Sequence, residues 1–323
     1  MSSPDISVII SAFNRKNYVK YAINSVLCQT IDPSRYELII VSNFQISLKL
    51  DKKYNYVSIV KETSKKRLNL MVYGIEEAKG DILCFLDDDD LFSNDKLEKI
   101  LERFSKNEKL GYIHNSFSLV DQNGNNITSR KLIKSWKQPR KDYYIPYKSI
   151  KRYLRKITNY SGLVNLSSIS IRTSIIDKNS LDYFVNLPGN MDEFIFDELL
   201  HSGFDLLITK DISSFYRIHK ENNSKPKTPK EIIEYVERLR KSLEMLNKLL
   251  EDNEFFQYGQ MKLKYWIYKE QLIDENSHIS FKLLIIIFAE AIRYRTDAYL
   301  SLVFFALYKF IIKKSPIILM RTY

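Results

Sequence analysis

Five apolar residues in a row, Ile82-Leu83-Cys84-Phe85-Leu86, run directly into four aspartates, Asp87 to Asp90. So short and unbroken an apolar run is a strand buried on both faces, which a sheet covered by helices on both sides provides. The rest of the N-terminal half reads the same way. Ile6 to Ile10 is a second such run and leaves the sheet at Ser11-Ala12-Phe13-Asn14; Glu37 to Val41 and Tyr56 to Val60 complete a set of four. Helical spacing separates them. Val19, Ala22, Ile23, Val26 and Leu27 give one face of a helix over Asn17–Gln29, and Leu68 to Ala78 a second, stopped by Lys79-Gly80. Ser93 to Ser105 reads as a third, with Ser93 at its N-cap. Strands alternating with helices imply an α/β fold with a parallel sheet, whose ligands collect beyond the carboxyl ends of the strands. Both Ser11-Ala12-Phe13-Asn14 and the aspartate run lie at such ends.

Beyond Leu110 the pattern changes. Leu110 to Asn115 reads as a strand, and the turn Asp121-Gln122-Asn123-Gly124 before Ile127 and Thr128 suggests a β-hairpin. Tyr143 to Tyr160 is basic and aromatic and reads as a mobile or substrate-facing segment. Ser167 to Ile171 is a strand, Phe194 to His201 a helix, and Leu206 to Thr209 and Phe215-Tyr216 two further strands. Lys220 to Lys230, with two prolines, marks a domain boundary, and helices follow to the end.

Composition narrows the function. At 323 residues with 45% hydrophobic and 28% charged residues, the chain is a folded globular protein with room for one large domain and an appendage. A net charge of +11 favours anionic partners. The basic residues are dispersed, however, without zinc-finger or RNA-recognition spacing, so nucleic acid is not an expected partner. No Gly-x-Gly-x-x-Gly or Gly-Lys-Ser/Thr loop occurs, which disfavours a dehydrogenase or kinase. Cys28 and Cys84 are too few for a disulfide framework and sit in apolar contexts, so both are expected as buried free thiols. Asp5 and Arg15 interrupt the N-terminus and its apolar stretch is too short for a signal peptide; a cytoplasmic protein, at the inner face of the cell membrane if it meets lipid, is expected.

Four adjacent carboxylates repel one another. A divalent cation such as Mg²⁺ or Mn²⁺, which prefers oxygen ligands and shares them with phosphates, would offset that repulsion. A solvated acidic turn, with Asp90 or Ser93 capping the next helix, accounts for the same residues without a ligand.

Taken together, Ile6 to Asn14, the helix running to Gln29-Thr30, and Ala78-Lys79-Gly80-Asp81 through Asp90 resemble the family 2 glycosyltransferases of GT-A fold. Order and spacing match over about the first hundred residues, with weaker signatures to about residue 224. The resemblance implies a Rossmann-like, mostly parallel sheet flanked by helices over 1–224, followed by a helical C-terminal region over 225–323. It implies an inverting, metal-dependent transfer from a nucleoside-diphosphate sugar to a glycan or lipid-linked acceptor, with Mn²⁺ or Mg²⁺ as cofactor. In the Asp-x-Asp pattern Asp87 would lie near the nucleotide ribose with Asp88 beside it, and Asp89 would bind the cation on the diphosphate. Met191-Asp192-Glu193 matches the acceptor-facing acidic pair, placing the general base at Asp192, with Glu193 as fallback because Met191 stands at the preceding acidic position. A base is needed because the acceptor hydroxyl loses its proton as it attacks; a helix-N-terminal carboxylate is the plain structural account of the same residue. Tyr216-Arg217-Ile218-His219 resembles the Tyr-Arg-x-His segment, making His219 a metal-ligand candidate, although an ordinary surface histidine fits as well.

The base pocket departs from the pattern. Ser42-Asn43-Phe44-Gln45 replaces the usual Asp-Asp-Gly-Ser, and Leu70-Met71-Val72 replaces Ala-Arg-Asn, leaving Lys65, Lys66 or Arg67 to supply the basic group. Ser11, Phe13, Asn14, Asn43 and Arg67 are therefore the expected nucleotide contacts, with Phe13 stacking on the base and Asn43 hydrogen-bonding to it. These departures, with Met191, also motivate a non-catalytic glycan- or lipid-binding relative.

Phe281–Ala291 and Ala298–Ile312 are strongly apolar, but neither reaches the roughly 20 residues of a spanning helix, and Lys309 interrupts the second. Helices lying in a membrane interface fit this pattern, with basic residues meeting anionic headgroups. A bundle packed on the catalytic domain or on a second subunit fits it too; the sequence does not set the oligomeric state.

Overall fold

The computed structural model describes residues 3–47, 51, 53–61, 67–130, 133, 136, 138–158, 165–186, 191–220, 222, 228–249, 255–274, 277–294 and 297–312. The chain divides into two compact units, residues 1–150, 160–186 and 191–220 in the first, and 151–159, 187–190 and 221–323 in the second.

Among the described residues, nine strands form one sheet: β1 (Ile6–Ala12), β2 (Tyr36–Ser42), β3 (Asn55–Val60), β4 (Ile82–Asp87), β5 (Leu91–Phe92), β6 (Leu110–Val120), β7 (Tyr143–Ile145), β8 (Ile169–Arg172) and β9 (Asp205–Arg217). Their order is β3-β2-β1-β4-β8-β6-β9-β5, with β7 added along β9. The first four are mutually parallel, β8 runs antiparallel to both β4 and β6, and β6 and β9 are parallel. The sheet is flanked by α1 (Val19–Leu27), α2 (Arg67–Glu77), α3 (Lys96–Ser105), α5 (Leu181–Asn186) and α6 (Met191–Ser202); α4 (Tyr147–Thr158) follows β7 and runs into the second unit. This is a GT-A fold.

Every residue of β1 is buried, as are Ile82 to Leu86 of β4, the double coverage that their apolar runs require. Register pairs Ser11 with Asp87, so both strands leave the sheet side by side. From there β1 leads to β2 on one side, while β4 leads through α3 to β6 on the other. That divergence opens the crevice in which α/β sheets hold ligands. The turn before β4 is pinned from behind. Lys79 N–H and the Ser7 hydroxyl both donate to Glu37 Oε1 (2.7 and 2.6 Å), and Gly80 N–H donates to Ser7 Oγ (2.8 Å). A Cβ on Gly80 would lie 2.6 Å from the Ser7 nitrogen, so glycine is required there by close approach.

Several sequence expectations are corrected. Helix α3 starts at Lys96, with Asp95 rather than Ser93 at the N-cap, because Leu91-Phe92 first pair with β9; Ser93 donates instead to Asp95 Oδ1 (2.7 Å). The two strands expected after Gly203 are one, β9, continuous because register shifts against β6 near Asn115–Phe117 absorb its polar middle. The Asp121–Gly124 turn forms, with Gly124 at φ 89°, and closes the expected hairpin in a short form: Asp121 N–H donates to Asn125 O (2.9 Å), Ile127 N–H donates to Leu119 O (2.9 Å), and Val120 bridges Asn126 in antiparallel fashion. Leu166–Ser168 is a 3₁₀ turn capped by Asn165, so β8 begins only at Ile169. Where the sequence suggested a mobile or substrate-facing segment over Tyr143–Tyr160, the described residues form strand β7 and helix α4, whose Ile150, Leu154 and Ile157 are buried. Cys84 is buried, but Cys28 is exposed, since it caps the C-terminus of α1 past the last buried turn. Most of the expected boundary lies outside the described residues.

The second unit adds α7 (Pro229–Leu249), α8 (Phe256–Ile273), α9 (Phe281–Tyr294) and α10 (Asp297–Ile312), packed around Val236, Leu272, Ile287, Leu302 and Phe305. Among the described residues no helix is long and apolar enough to cross a membrane.

Candidate active site

The aspartate run is a tight turn at the carboxyl end of β4, closed by Asp90 N–H donating to Asp87 O (3.1 Å). It is held from the rear by two residues. Ser167, positioned by the 3₁₀ turn, accepts from Asp87 N–H (3.0 Å) and donates its hydroxyl to Asp90 Oδ2 (2.6 Å). Arg217, at the end of β9, donates its backbone N–H to Asp90 Oδ1 (2.9 Å) and its Nε to the Asp89 carbonyl (2.7 Å). The same guanidinium packs over Tyr18 and Tyr21 and donates through Nη1 to the carbonyls of Asp121 (3.3 Å) and Gln122 (3.1 Å).

Carboxylate oxygens of Asp87, Asp89 and Asp90 lie within 4.8 Å of one another. Burial first, then Asp89 and Asp87, push the Asp90 carboxyl well above the usual range. An all-oxygen donor set under mutual repulsion suits a hard divalent cation, so the residues present fit Mg²⁺ or Mn²⁺. His219 Nε2 lies 3.0 Å from Asp89 Oδ2, with its ring tilted against Tyr18 at 4.6 Å. Asp88 stands apart from the oxygen cluster: Arg15 spans Asp88 and Asp89 with its two terminal nitrogens. Beneath the turn, Lys96 is fully buried and donates to Ser167 O (2.6 Å) and Ser214 Oγ (3.1 Å). Burial lowers its ammonium to about 7, against the pull of Cys84 and Asp90.

Asp192 and Glu193 occupy the first turn of α6. Asp192 accepts from Asn165 N–H (3.4 Å) and Glu193 N–H (3.2 Å). Burial, then Glu193, then Asp87 push its carboxyl up to about 6. Asn165 itself sits at φ 119°, a left-handed strain consistent with a constrained site.

At the exit of β1, Asn14 (φ 61°) donates its backbone N–H to Asn43 Oδ1 (2.9 Å) and Asn43 Nδ2 donates back to Asn14 Oδ1 (2.7 Å). These two expected nucleotide contacts are thus one unit. Ser11 is buried beside Asp87, Phe13 is half-buried, and the Arg67 side chain, with Lys65 and Lys66, lies outside the described residues.

Residues 7–165 match the family model described as Glycosyl transferase family 2. Residues 7–165 form a family 2 glycosyltransferase domain. It is 27% identical over 236 residues to an uncharacterized glycosyltransferase of Haemophilus influenzae, covering 70% of this chain and 84% of that one. Other curated glycosyltransferase relatives, 34% identical, are longer, and the chain spans only 18% to 22% of them. Among solved structures, TarS of S. aureus matches 93% of this chain and 55% of its own, with a TM-score of 0.58 at 13% identity. The mannosyltransferase PcManGT of Pyrobaculum calidifontis, in complex with GDP-Man and Mn²⁺, matches 96% of this chain and 88% of its own, with a TM-score of 0.52 at 10% identity. At such identities the structural likeness shows the fold.

Arg15, Tyr18, Lys96, Asn165 and Ser167 went unremarked in the sequence as site residues. Arg217 stood inside the Tyr216–His219 segment and was legible. Ser167 and Lys96 carry no local signal: one is a serine among other serines in a mixed polar and apolar stretch, the other a lysine in a first helical turn.

Proposed function

We propose that this glycosyltransferase moves a sugar from a nucleoside diphosphate to a hydroxyl of a glycan or lipid-linked acceptor, inverting the anomeric centre. The observation that carries this is the set of Asp87, Asp89 and Asp90 oxygens within 4.8 Å of one another at the β1–β4 crevice, with His219 on Asp89. Asp89 and His219, with Asp87 and Asp90 in reach, would hold Mn²⁺ or Mg²⁺, which neutralises charge on the leaving diphosphate. Ser11, Phe13, Asn14 and Asn43 line the nucleotide side, with Asp87 and Asp88 toward the ribose. The Asn14–Asn43 pair offers amide donors and acceptors to a base edge where the family's usual aspartate is absent. Asp192 accepts the acceptor hydroxyl proton while the new bond to the anomeric carbon forms and the bond to the diphosphate oxygen breaks. A carboxyl at about 6 is ionised at neutral pH yet more basic than an ordinary aspartate, which suits that role. Glu193, one residue along, raises that basicity.

One observation favours a second reading, a non-catalytic glycan- or lipid-binding relative: Arg15 already supplies a cation to Asp88 and Asp89. Calorimetry with UDP- and GDP-sugars, with and without Mn²⁺ or Mg²⁺, decides between them. The transferase gives cation-dependent heat with at least one donor, and Asp89→Asn abolishes it. Asp192→Asn keeps the heat and loses transfer. Absence of cation-dependent heat across the panel refutes the transferase.

A further inference from the structure

Helices α9 and α10 are consecutive and antiparallel: the Phe281 ring meets Phe310 (6.3 Å) at one end and Tyr294 meets Tyr299 (5.1 Å) at the other. One face of the pair is used in the core, through Ile287, Leu302 and Phe305. The opposite face is apolar and exposed. Ile285, Phe288 and Ile292 on α9, and Leu300, Phe304 and Ile311 on α10, recur at helical spacing, and Phe288 and Phe304 are each 54% exposed. Scattered surface apolar residues need no explanation, but a continuous two-helix face does.

Two charged residues within these helices, Lys309 and Glu290, point the other way. Lys309, the residue that interrupts the apolar run in the sequence, is 5% exposed. Its ammonium turns inward and donates to the carbonyls of Gln271 (2.9 Å) and Asp274 (2.5 Å) and to Ser277 Oγ (2.7 Å), capping the C-terminus of α8. Glu290 likewise pairs inward with Lys264 (2.9 Å). Polar groups inside and phenylalanine and isoleucine outside is the reverse of a water-facing helix pair. Among the described residues of these two helices, the exposed cations are Lys282 and Arg293, toward the ends of α9. In the sequence, Lys313 and Lys314 follow directly after α10.

We propose that this face lies flat in the headgroup–acyl boundary of an anionic phospholipid surface, with Lys282 and Arg293 reaching phosphate headgroups. At 14 and 16 residues the helices reach about 21 and 24 Å, short of the about 30 Å hydrocarbon core, so neither crosses it. Insertion end-on would carry Lys282 or Arg293 into hydrocarbon, which the in-plane arrangement avoids. A lipid surface fits better than a second copy, because a self-paired face would set Lys282 and Arg293 near their own counterparts without a counter-charge among the face residues.

The test is flotation of the full-length protein with phosphatidylcholine vesicles, with and without phosphatidylglycerol. Binding to the phosphatidylglycerol vesicles is expected, weakened by salt, and cut by at least about tenfold in the Phe288→Glu/Phe304→Glu variant. Lys282→Glu/Arg293→Glu, which changes two exposed residues and gives up only the contact of Arg293 with the Tyr294 ring, lowers binding to the anionic vesicles alone. Light scattering on the same samples reads the competing occupant. A wild-type chain that ignores both vesicles, or a dimer made monomeric by the Phe288→Glu/Phe304→Glu variant without any lipid binding, overturns the proposal. The readout is independent of sugar-nucleotide binding, so the transferase reading stands or falls separately.

Discussion

Arg217→Lys is the substitution whose effect the structure defines most fully. Lysine keeps the backbone N–H that bonds Asp90 Oδ1, so the change isolates the guanidinium. Arg217 joins the Asp89 carbonyl to those of Asp121 and Gln122, and packs over Tyr18 and Tyr21 at 5.0 and 5.6 Å. A single ammonium cannot reach both sets of carbonyls with the same planar fork. Each hydrogen bond lost from a charged donor costs about 1.5–3 kcal/mol when its buried partner is left unmet. Weakened ring packing adds about 0.5–1 kcal/mol. Because the Asp121 and Gln122 carbonyls lie at the surface and water replaces their partner, only the buried Asp89 carbonyl is left unmet, and the variant should lose about 2–4 kcal/mol of stability, read from urea unfolding. The Asp89 backbone would no longer be fixed, and an error of about 1 Å in a ligand's position costs on the order of a hundredfold. Mn²⁺ affinity, followed by the electron paramagnetic resonance of the free ion, should fall by at least about tenfold. A variant within about 0.5 kcal/mol of wild type that binds Mn²⁺ unchanged would refute the view that Arg217 sets the aspartate turn.

Two further outcomes follow from the site's electrostatics. Because the Asp192 carboxyl is pushed up to about 6, it is protonated and unable to accept a proton below that pH. The kcat/KM for transfer should therefore fall about tenfold per pH unit below about 6, with no such limb in the residual activity of Asp192→Asn; a flat wild-type profile down to pH 5 would exclude it as the base. Arg15→Ala removes the cation that spans Asp88 and Asp89, so the metal-free protein should melt lower while Mn²⁺ raises its Tm by more than it raises that of wild type; an equal Mn²⁺ shift would mean Arg15 and the ion do not compete.

Much of this was legible in the sequence because burial on both faces leaves a plain signature: β1, β2 and β4 were apolar runs and became the buried centre of the sheet. The aspartate turn and the Tyr216–His219 segment were legible for a related reason, since each is a compact local string. What was hidden depends on distance along the chain. Leu91-Phe92 is too short to show a period, yet it ties the aspartate turn to β9 and displaces the start of α3. Ser167 reaches Asp90 across 77 residues, and no local pattern announces such a bond. The charged pair Lys210-Asp211 and the serines Ser213-Ser214 looked like a break between strands, because a bulge and a loop have the same composition. Lys309 looked like an interruption of an apolar face, and only the fold shows its ammonium turned inward.

The central claim is that the aspartate turn, through Asp89 with Asp87 and Asp90 in reach, holds a cation for a nucleoside diphosphate. An anomalous-scattering map at the manganese edge, from crystals grown with Mn²⁺ and UDP or GDP, tests it most directly. The account predicts one strong peak about 2.0–2.5 Å from an Asp89 carboxylate oxygen, in contact with the diphosphate and with the Arg15 guanidinium displaced. Diphosphate bound with no peak beside Asp89, or a peak elsewhere in the chain, would contradict it.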